Sequence, residues 1–104
     1  WLDDLPEGWR KTFGLQMIEE LDKILRKVNY QNQYQITQIK EKYGSLRWYD
    51  NGIPTTIADE YDKWLAKYEK LSEHTCLVCG EPGKIDYTQY WLMPLCDKCR
   101  KEEM

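Results

Sequence analysis

The sequence predicts an α+β fold: an N-terminal helix, a two-stranded β-hairpin, a second helix and a C-terminal zinc unit of treble-clef type. Three observations carry this. Apolar residues recur at helical spacing over two separate stretches. Between them lies a run of β-branched and aromatic residues interrupted by a Glu-Lys-Tyr-Gly turn. The last third of the chain holds all four cysteines, as Cys76-Leu77-Val78-Cys79 and Cys96-Asp97-Lys98-Cys99. The expected organisation is a helix–hairpin–helix portion, residues 1–74, and a metal unit, residues 75–104, packed on it as one compact domain.

Asp4-Leu5-Pro6-Glu7 reads as a helix start, with Asp4 as N-cap, Pro6 inside the first turn and an acid at the positive end of the helix dipole. Trp9, Phe13, Met17, Ile18, Leu21, Leu25 and Val28 follow on one face. Gly14 interrupts that stripe, so a kink or two abutting helices are expected between about residues 6 and 28. Tyr34 to Ile39 is a strand candidate, Glu41-Lys42-Tyr43-Gly44 a turn, and Ser45 to Tyr49 the returning strand. The hairpin ends at the turn signal Asp50-Asn51-Gly52. Pro54-Thr55-Thr56 opens the second helix, capped by Thr55 or Thr56 and running to about Ser72. Its apolar face is Ile57, Tyr61, Trp64, Leu65, Tyr68 and Leu71, with Glu60, Lys63, Lys67 and Lys70 opposite.

Two residues between the cysteines of each pair let one backbone turn aim two sulfurs at one ion, and sixteen residues between the pairs leave room for a short hairpin. A disulfide framework would accompany secretion, and no signal-peptide pattern is visible. A redox Cys-x-x-Cys would leave one pair idle. The reading is therefore one structural Zn2+ held by Cys76, Cys79, Cys96 and Cys99. A catalytic zinc keeps one position open for water, which four thiolates would close. Gly80 supplies the left-handed backbone a knuckle needs. Lys84 to Tyr87 and Tyr90 to Met93 form the expected hairpin, and the second pair sits in the first turn of a helix. Knuckle, hairpin and helix together make a treble clef, with a double-knuckle zinc ribbon as the other arrangement. A nuclease built on the treble clef would need a histidine base and further metal ligands; the single histidine, His74, does not supply them.

Composition narrows the function classes. The chain has 104 residues, 41% of them hydrophobic, and carries five Trp and eight Tyr against one Phe. Such aromatics give a small core much buried area each, and a metal adds the stability that a chain this short lacks. Formal charge is −3, and four thiolates with one Zn2+ take it to about −5, against a binder driven by phosphate neutralisation. No stretch is apolar enough to span a bilayer, and a cytoplasmic protein is expected. No P-loop, dinucleotide motif, nucleophile elbow or HExxH helix is present, so no enzyme is expected.

Two sets of residues are candidates for binding a partner. Lys40, Lys42, Tyr43, Arg47, Trp48 and Tyr49 mix cations with aromatics on the hairpin, a combination that suits base stacking or protein anchoring. The plainer reading turns Leu46 and Trp48 to the core and leaves the charges solvated. Lys98, Arg100 and Lys101 form a second basic set on the last helix, where they also offset a negative four-thiolate centre. Asp3, Asp4, Glu7, Glu19, Glu20 and Asp22 make the first helix acidic, as a solvated face does.

Gly8-Trp9-Arg10, the run Gln38 to Tyr49 (QIKEKYGSLRWY) and the run Thr75 to Gly83 (TCLVCGEPG) occur in that order. The chain resembles a family of small bacteriophage and prophage proteins that share a Gly-Trp start, this hairpin motif and a cysteine knuckle ending in Cys-Gly-x-Pro-Gly. The resemblance covers most of the chain. It implies a phage source and a bacterial host cytoplasm. It implies the fold more than a function; by association alone it suggests binding of a host macromolecule, a protein above all, as inhibitor or regulator, including anti-defence. The alternative is a nucleic-acid-binding module that uses the hairpin and the basic last helix.

Overall fold

The computed structural model describes residues 4–85 and 92–103. One helical rod opens the chain: α1 (Glu7–Trp9), a π-helical segment (Arg10–Gly14) and α2 (Leu15–Arg26) follow without a break in helical backbone. The irregularity expected at Gly14 is thus a π turn within a continuous rod. Its i→i+5 bonding widens the turn, which helps keep Trp9, Phe13, Met17, Leu21 and Leu25, each four residues apart, on one buried face. Asp4 is not the cap. Pro6 occupies that position with no side-chain hydrogen bond.

Strands β1 (Ile36–Lys42) and β2 (Ser45–Asp50) pair antiparallel, with Lys42 opposite Ser45 and Ile39 opposite Trp48. Tyr43 and Gly44 form the turn at φ 54° and 87°. Positive φ at both positions marks the type I′ turn, whose twist matches that of the strands. Helix α3 (Ala58–Ser72) follows a 3-10 turn at Thr55–Ile57, so neither threonine caps it; Ile57 stands at the cap.

The core is a run of aromatic rings between α2, β2 and α3. Phe13 lies 5.7 Å from Tyr68, Trp64 lies 5.5 Å from Tyr61, and Trp48 meets Trp64 edge-on at 5.3 Å. Polar ring atoms in this core find partners, as buried Tyr and Trp require. Trp64 donates to the Met17 carbonyl, Trp48 Nε1 donates to Tyr34 Oη, and Tyr34 and Tyr61 both donate to Asp50. Across the helices Lys67 pairs with Glu20 and Glu60 with Lys27. The predicted apolar face of α3 is corrected at one end: Leu71 is exposed, and Ser72 is buried and accepts the Leu46 N–H.

Candidate metal centre

The end of α3 leads straight into the knuckle. Thr75 Oγ1 donates to the Leu71 carbonyl, and Thr75 bridges to Pro82 across the loop. Within the loop the Cys76 N–H donates to Glu81 O and the Gly80 N–H donates back to Cys76 O. Gly80 takes φ +85°, the left-handed conformation expected of it.

The second cysteine pair arrives on a two-stranded ladder and a short helix. Strand β3 (Lys84–Ile85) pairs with β4 (Pro94–Leu95), and α4 (Asp97–Glu103) begins one residue after Cys96. The returning strand therefore lies beyond the predicted Tyr90–Met93: Leu92 and Met93 precede it, and the expected strand residues from Asp86 to Trp91, like Asp3, fall outside the described residues. The reason is the register, since Leu77 N–H donates to Pro94 O and ties β4 to the knuckle. Cys99 occupies the first turn of α4, with its N–H on the Cys96 sulfur at 3.4 Å. Knuckle, ladder and helix give the treble-clef order; of the second pair, Cys99 lies in the first turn of α4 and Cys96 just before it, a correction to the expectation that both lie in the helix.

The four sulfurs lie within 4.8 Å of one another, and Cys79 and Cys96 approach to 3.6 Å. No disulfide joins them, and the separation is far above the ~2.0 Å of an S–S bond. A tetrahedral ion with metal–sulfur bonds of ~2.3 Å has sulfur–sulfur edges of ~3.8 Å. The cluster has the size and donor set to hold a metal ion. Its electrostatics agree. Burial opposes ionisation of Cys76, but the backbone N–H groups of Cys79, Cys96 and Val78 outweigh it and bring this thiol down to about 6. The Cys96 sulfur and then burial push Cys99 up. Cys79 is also raised, since burial and the neighbouring sulfurs overcome the help of the Glu81 N–H. Cys76 thus forms a thiolate readily while sulfur contacts and burial hold Cys79 and Cys99 protonated, and a cation at the centre would favour the thiolate form.

The N-terminal helix packs directly on this unit, a role the sequence reading missed. Gly8 N–H donates to Leu77 O at 2.7 Å, Trp9 Nε1 to Thr75 O at 3.0 Å, and Thr12 Oγ1 to Gly80 O at 2.7 Å. A Cβ on Gly8 would lie 2.1 Å from Cys76 O, so only glycine permits the approach. The sequence signal was the Gly8-Trp9 pair at a helix start. The other end of the unit meets the hairpin tip, where a Cβ on Gly44 would lie 2.6 Å from Ile85 Cδ1. An open groove of about 280 Å3, lined by Pro82, Gly83, Lys84, Leu95, Cys96 and Asp97, runs beside the centre.

The candidate binding residues separate into three groups. Trp48 is buried in the core, and we correct its assignment to a binding surface: the inward side of the ladder carries it with Leu46 and Ile39. Lys40, Lys42, Tyr43 and Tyr49 remain on the outer face and tip, with Tyr43 66% exposed. Lys40 lies over the Tyr49 ring at 5.7 Å and Lys42 over Tyr43 at 5.6 Å. Arg47 is half-buried; its Nε has no hydrogen-bond acceptor among the described residues, and its charge is felt by Glu69 of α3. On α4, Arg100 donates to Lys84 O at 2.6 Å and so braces the metal unit, whereas Lys98 and Lys101 are exposed. His74 is exposed beside the knuckle, its carbonyl accepting the Gly83 N–H.

Comparison with family models, with curated proteins and with solved structures finds no match to this chain. Among the described residues no helix is long and apolar enough to cross a membrane.

Proposed function

We propose that this chain is a non-enzymatic interaction protein of phage or prophage origin, built around one structural Zn2+, which binds a host protein in the bacterial cytoplasm and inhibits or regulates it. The observation that carries the reading is the exposed Tyr43 side chain at the hairpin tip. Tyr43 is a bulky residue at φ 54°, at a turn position that favours Asn, Asp or Gly, and it is 66% exposed, with Lys42 over its ring at 5.6 Å. A tyrosine held outward at such a place is the kind of anchor that protein interfaces use.

The tip and outer face favour a protein over a nucleic acid. Lys42 and Lys40 lie over the rings of Tyr43 and Tyr49, and a base would have to displace them to stack there. Zinc is the favoured ion because four thiolates in tetrahedral reach suit it, with iron as the competing occupant. Four protein ligands fill the coordination shell and leave no open position for a substrate, which supports a structural role.

The test is affinity capture of the tagged chain from infected cells without nuclease treatment, followed by native mass spectrometry and elemental analysis. One zinc per chain and a stoichiometric host protein that survives high salt, lost on Tyr43→Ala, is the expected result. Nucleic acid that leaves as salt rises would overturn the protein reading, since a steep log–log salt slope is the mark of phosphate contacts. Iron in place of zinc would overturn the metal assignment alone.

A further inference from the structure

The hairpin has two edges, and among the described residues only one of them is covered. Tyr43-Gly44 is a two-residue turn between Lys42 and Ser45, so the ladder bonds run through Lys42–Ser45, Lys40–Arg47 and Gln38–Tyr49. By the same alternation, the N–H and C=O groups of Ile39 and Glu41 point off the outer side of β1, and those of Leu46 off the outer side of β2. The β2 side is occupied, for Leu46 N–H donates to Ser72 Oγ at 3.0 Å and α3 packs against that strand. On the β1 side, no backbone or side-chain acceptor meets the Ile39 or Glu41 N–H among the described residues.

We propose that this free edge of β1 is a docking site for an extended acidic segment of a protein partner, which adds to the hairpin as a third strand. An exposed edge offers a ready row of donors and acceptors. Side chains choose the occupant. On the outer face, β1 presents Gln38, Lys40 and Lys42, and the residues across the ladder are Tyr49, Arg47 and Ser45, so none of these ladder residues is a carboxylate; among the described residues, Glu69 of α3 feels the charge of Arg47. A neighbouring strand places its outward side chains ~4.5–5.5 Å from those of β1. Asp or Glu at alternate positions would therefore stand opposite Lys40 and Lys42. A second copy of this chain fits badly. Each antiparallel self-pairing that uses the Ile39 and Glu41 amides sets Lys40 directly or diagonally against a lysine of the copy.

This inference rests on the proposal that the partner is a protein, and its test separates the two. The probe is a capped octapeptide of alternating glutamate and valine, with a lysine-for-glutamate peptide as control, read by amide hydrogen exchange at single-residue resolution. Saturating glutamate peptide should slow exchange at Ile39 and Glu41 at least tenfold and leave the ladder-bonded Lys40 and Lys42 amides unchanged. Lys40→Glu/Lys42→Glu should weaken binding about a hundredfold, with the near-UV spectrum checking the fold. Glu41→Pro, which removes an outward N–H and no ladder bond but also the carboxylate that accepts the Gly44 N–H, should abolish it, whereas Glu41→Ala, which loses only that turn bond, should keep binding. No protection at Ile39 and Glu41, equal binding of the control peptide, or protection that follows dimerisation would each overturn the edge site. So would a captured host-protein complex that leaves these two amides freely exchanging; that outcome leaves the broader protein-binding proposal intact, whereas capture of nucleic acid alone overturns the broader proposal.

Discussion

Gly8→Ala should break the junction between the first helix and the metal unit. The added Cβ would sit 2.1 Å from Cys76 O and 2.7 Å from Gly80 N, against 3.4 Å where ordinary contact begins, so helix and knuckle must part by about 1.3 Å. Neither side has a flexible end to yield, because the atoms approached are backbone. Parting by that much takes the Gly8–Leu77 and Thr12–Gly80 bonds, both 2.7 Å, beyond bonding distance and strains Trp9 Nε1 on Thr75 O. Each lost bond costs ~1 kcal/mol net, and a buried donor left unpaired costs ~1–3 kcal/mol. Alanine returns ~1 kcal/mol through its better helix propensity. The balance is a loss on the order of 3 kcal/mol, a large part of the ~5–15 kcal/mol that holds a domain folded. Urea unfolding of the metal-loaded protein, followed by tryptophan fluorescence, measures it as a lower midpoint at unchanged slope. A Gly8→Ala variant within about 0.5 kcal/mol of the parent, the size of an ordinary surface change, would refute the close-approach argument.

Other perturbations test the rest of the structure. Chelation of the metal should abolish the near-UV signal of Trp9 and unfold at least the C-terminal third, since metal binding and folding are coupled there; unchanged spectra would sink the structural role. Cys96→Ser should raise the chelator sensitivity of metal retention by an order of magnitude or more, because both Cys79 Sγ and the Cys99 N–H approach that sulfur. Tyr34→Phe removes the acceptor of the buried Trp48 N–H and a donor to Asp50. It should cost on the order of 3 kcal/mol, with the exposed Tyr49→Phe near zero as control. Burial works against the Glu20 carboxylate, but bonds from Lys67 and Tyr68 outweigh it and lower its pKa. A depressed folded pKa stabilises above the unfolded value near 4.5 and loses that stabilisation as pH falls through the lower folded value. Glu20→Gln should therefore cost ~1 kcal/mol or less at neutral pH, kept small by solvent screening, and parent and variant should converge in acid.

Much of the architecture was legible because it depends on local pattern. Helical periodicity located the rod and α3. The turn expected over Glu41 to Gly44 located the hairpin, although β1 runs on through Lys42 and only Tyr43 and Gly44 turn; ladder alternation agrees with the plainer reading of Leu46 and Trp48. Errors fell where the deciding contact comes from far along the chain. Nothing near Asp50 announces that it accepts bonds from Tyr34 and Tyr61; as sequence it is a turn residue. The β4 strand was placed too early because its partner for registry is Leu77, back in the knuckle. Asp4 and the threonines before α3 looked like caps, but the Gly8 N–H, one of the orphan donors of the first helix, is satisfied by the Leu77 carbonyl.

The sequence by itself determined which elements form and which four atoms can gather a metal, because helical stripes, strand alternation and Cys-x-x-Cys spacing each express short-range geometry. Only the tertiary structure decided which surfaces remain. It buried Trp48 against Trp64, set Gly8 against the knuckle, tied Arg100 to Lys84, and covered the β2 edge with Ser72. Those outcomes depend on packing between segments tens of residues apart. A side chain's composition does not reveal whether another part of the chain will come to lie on it.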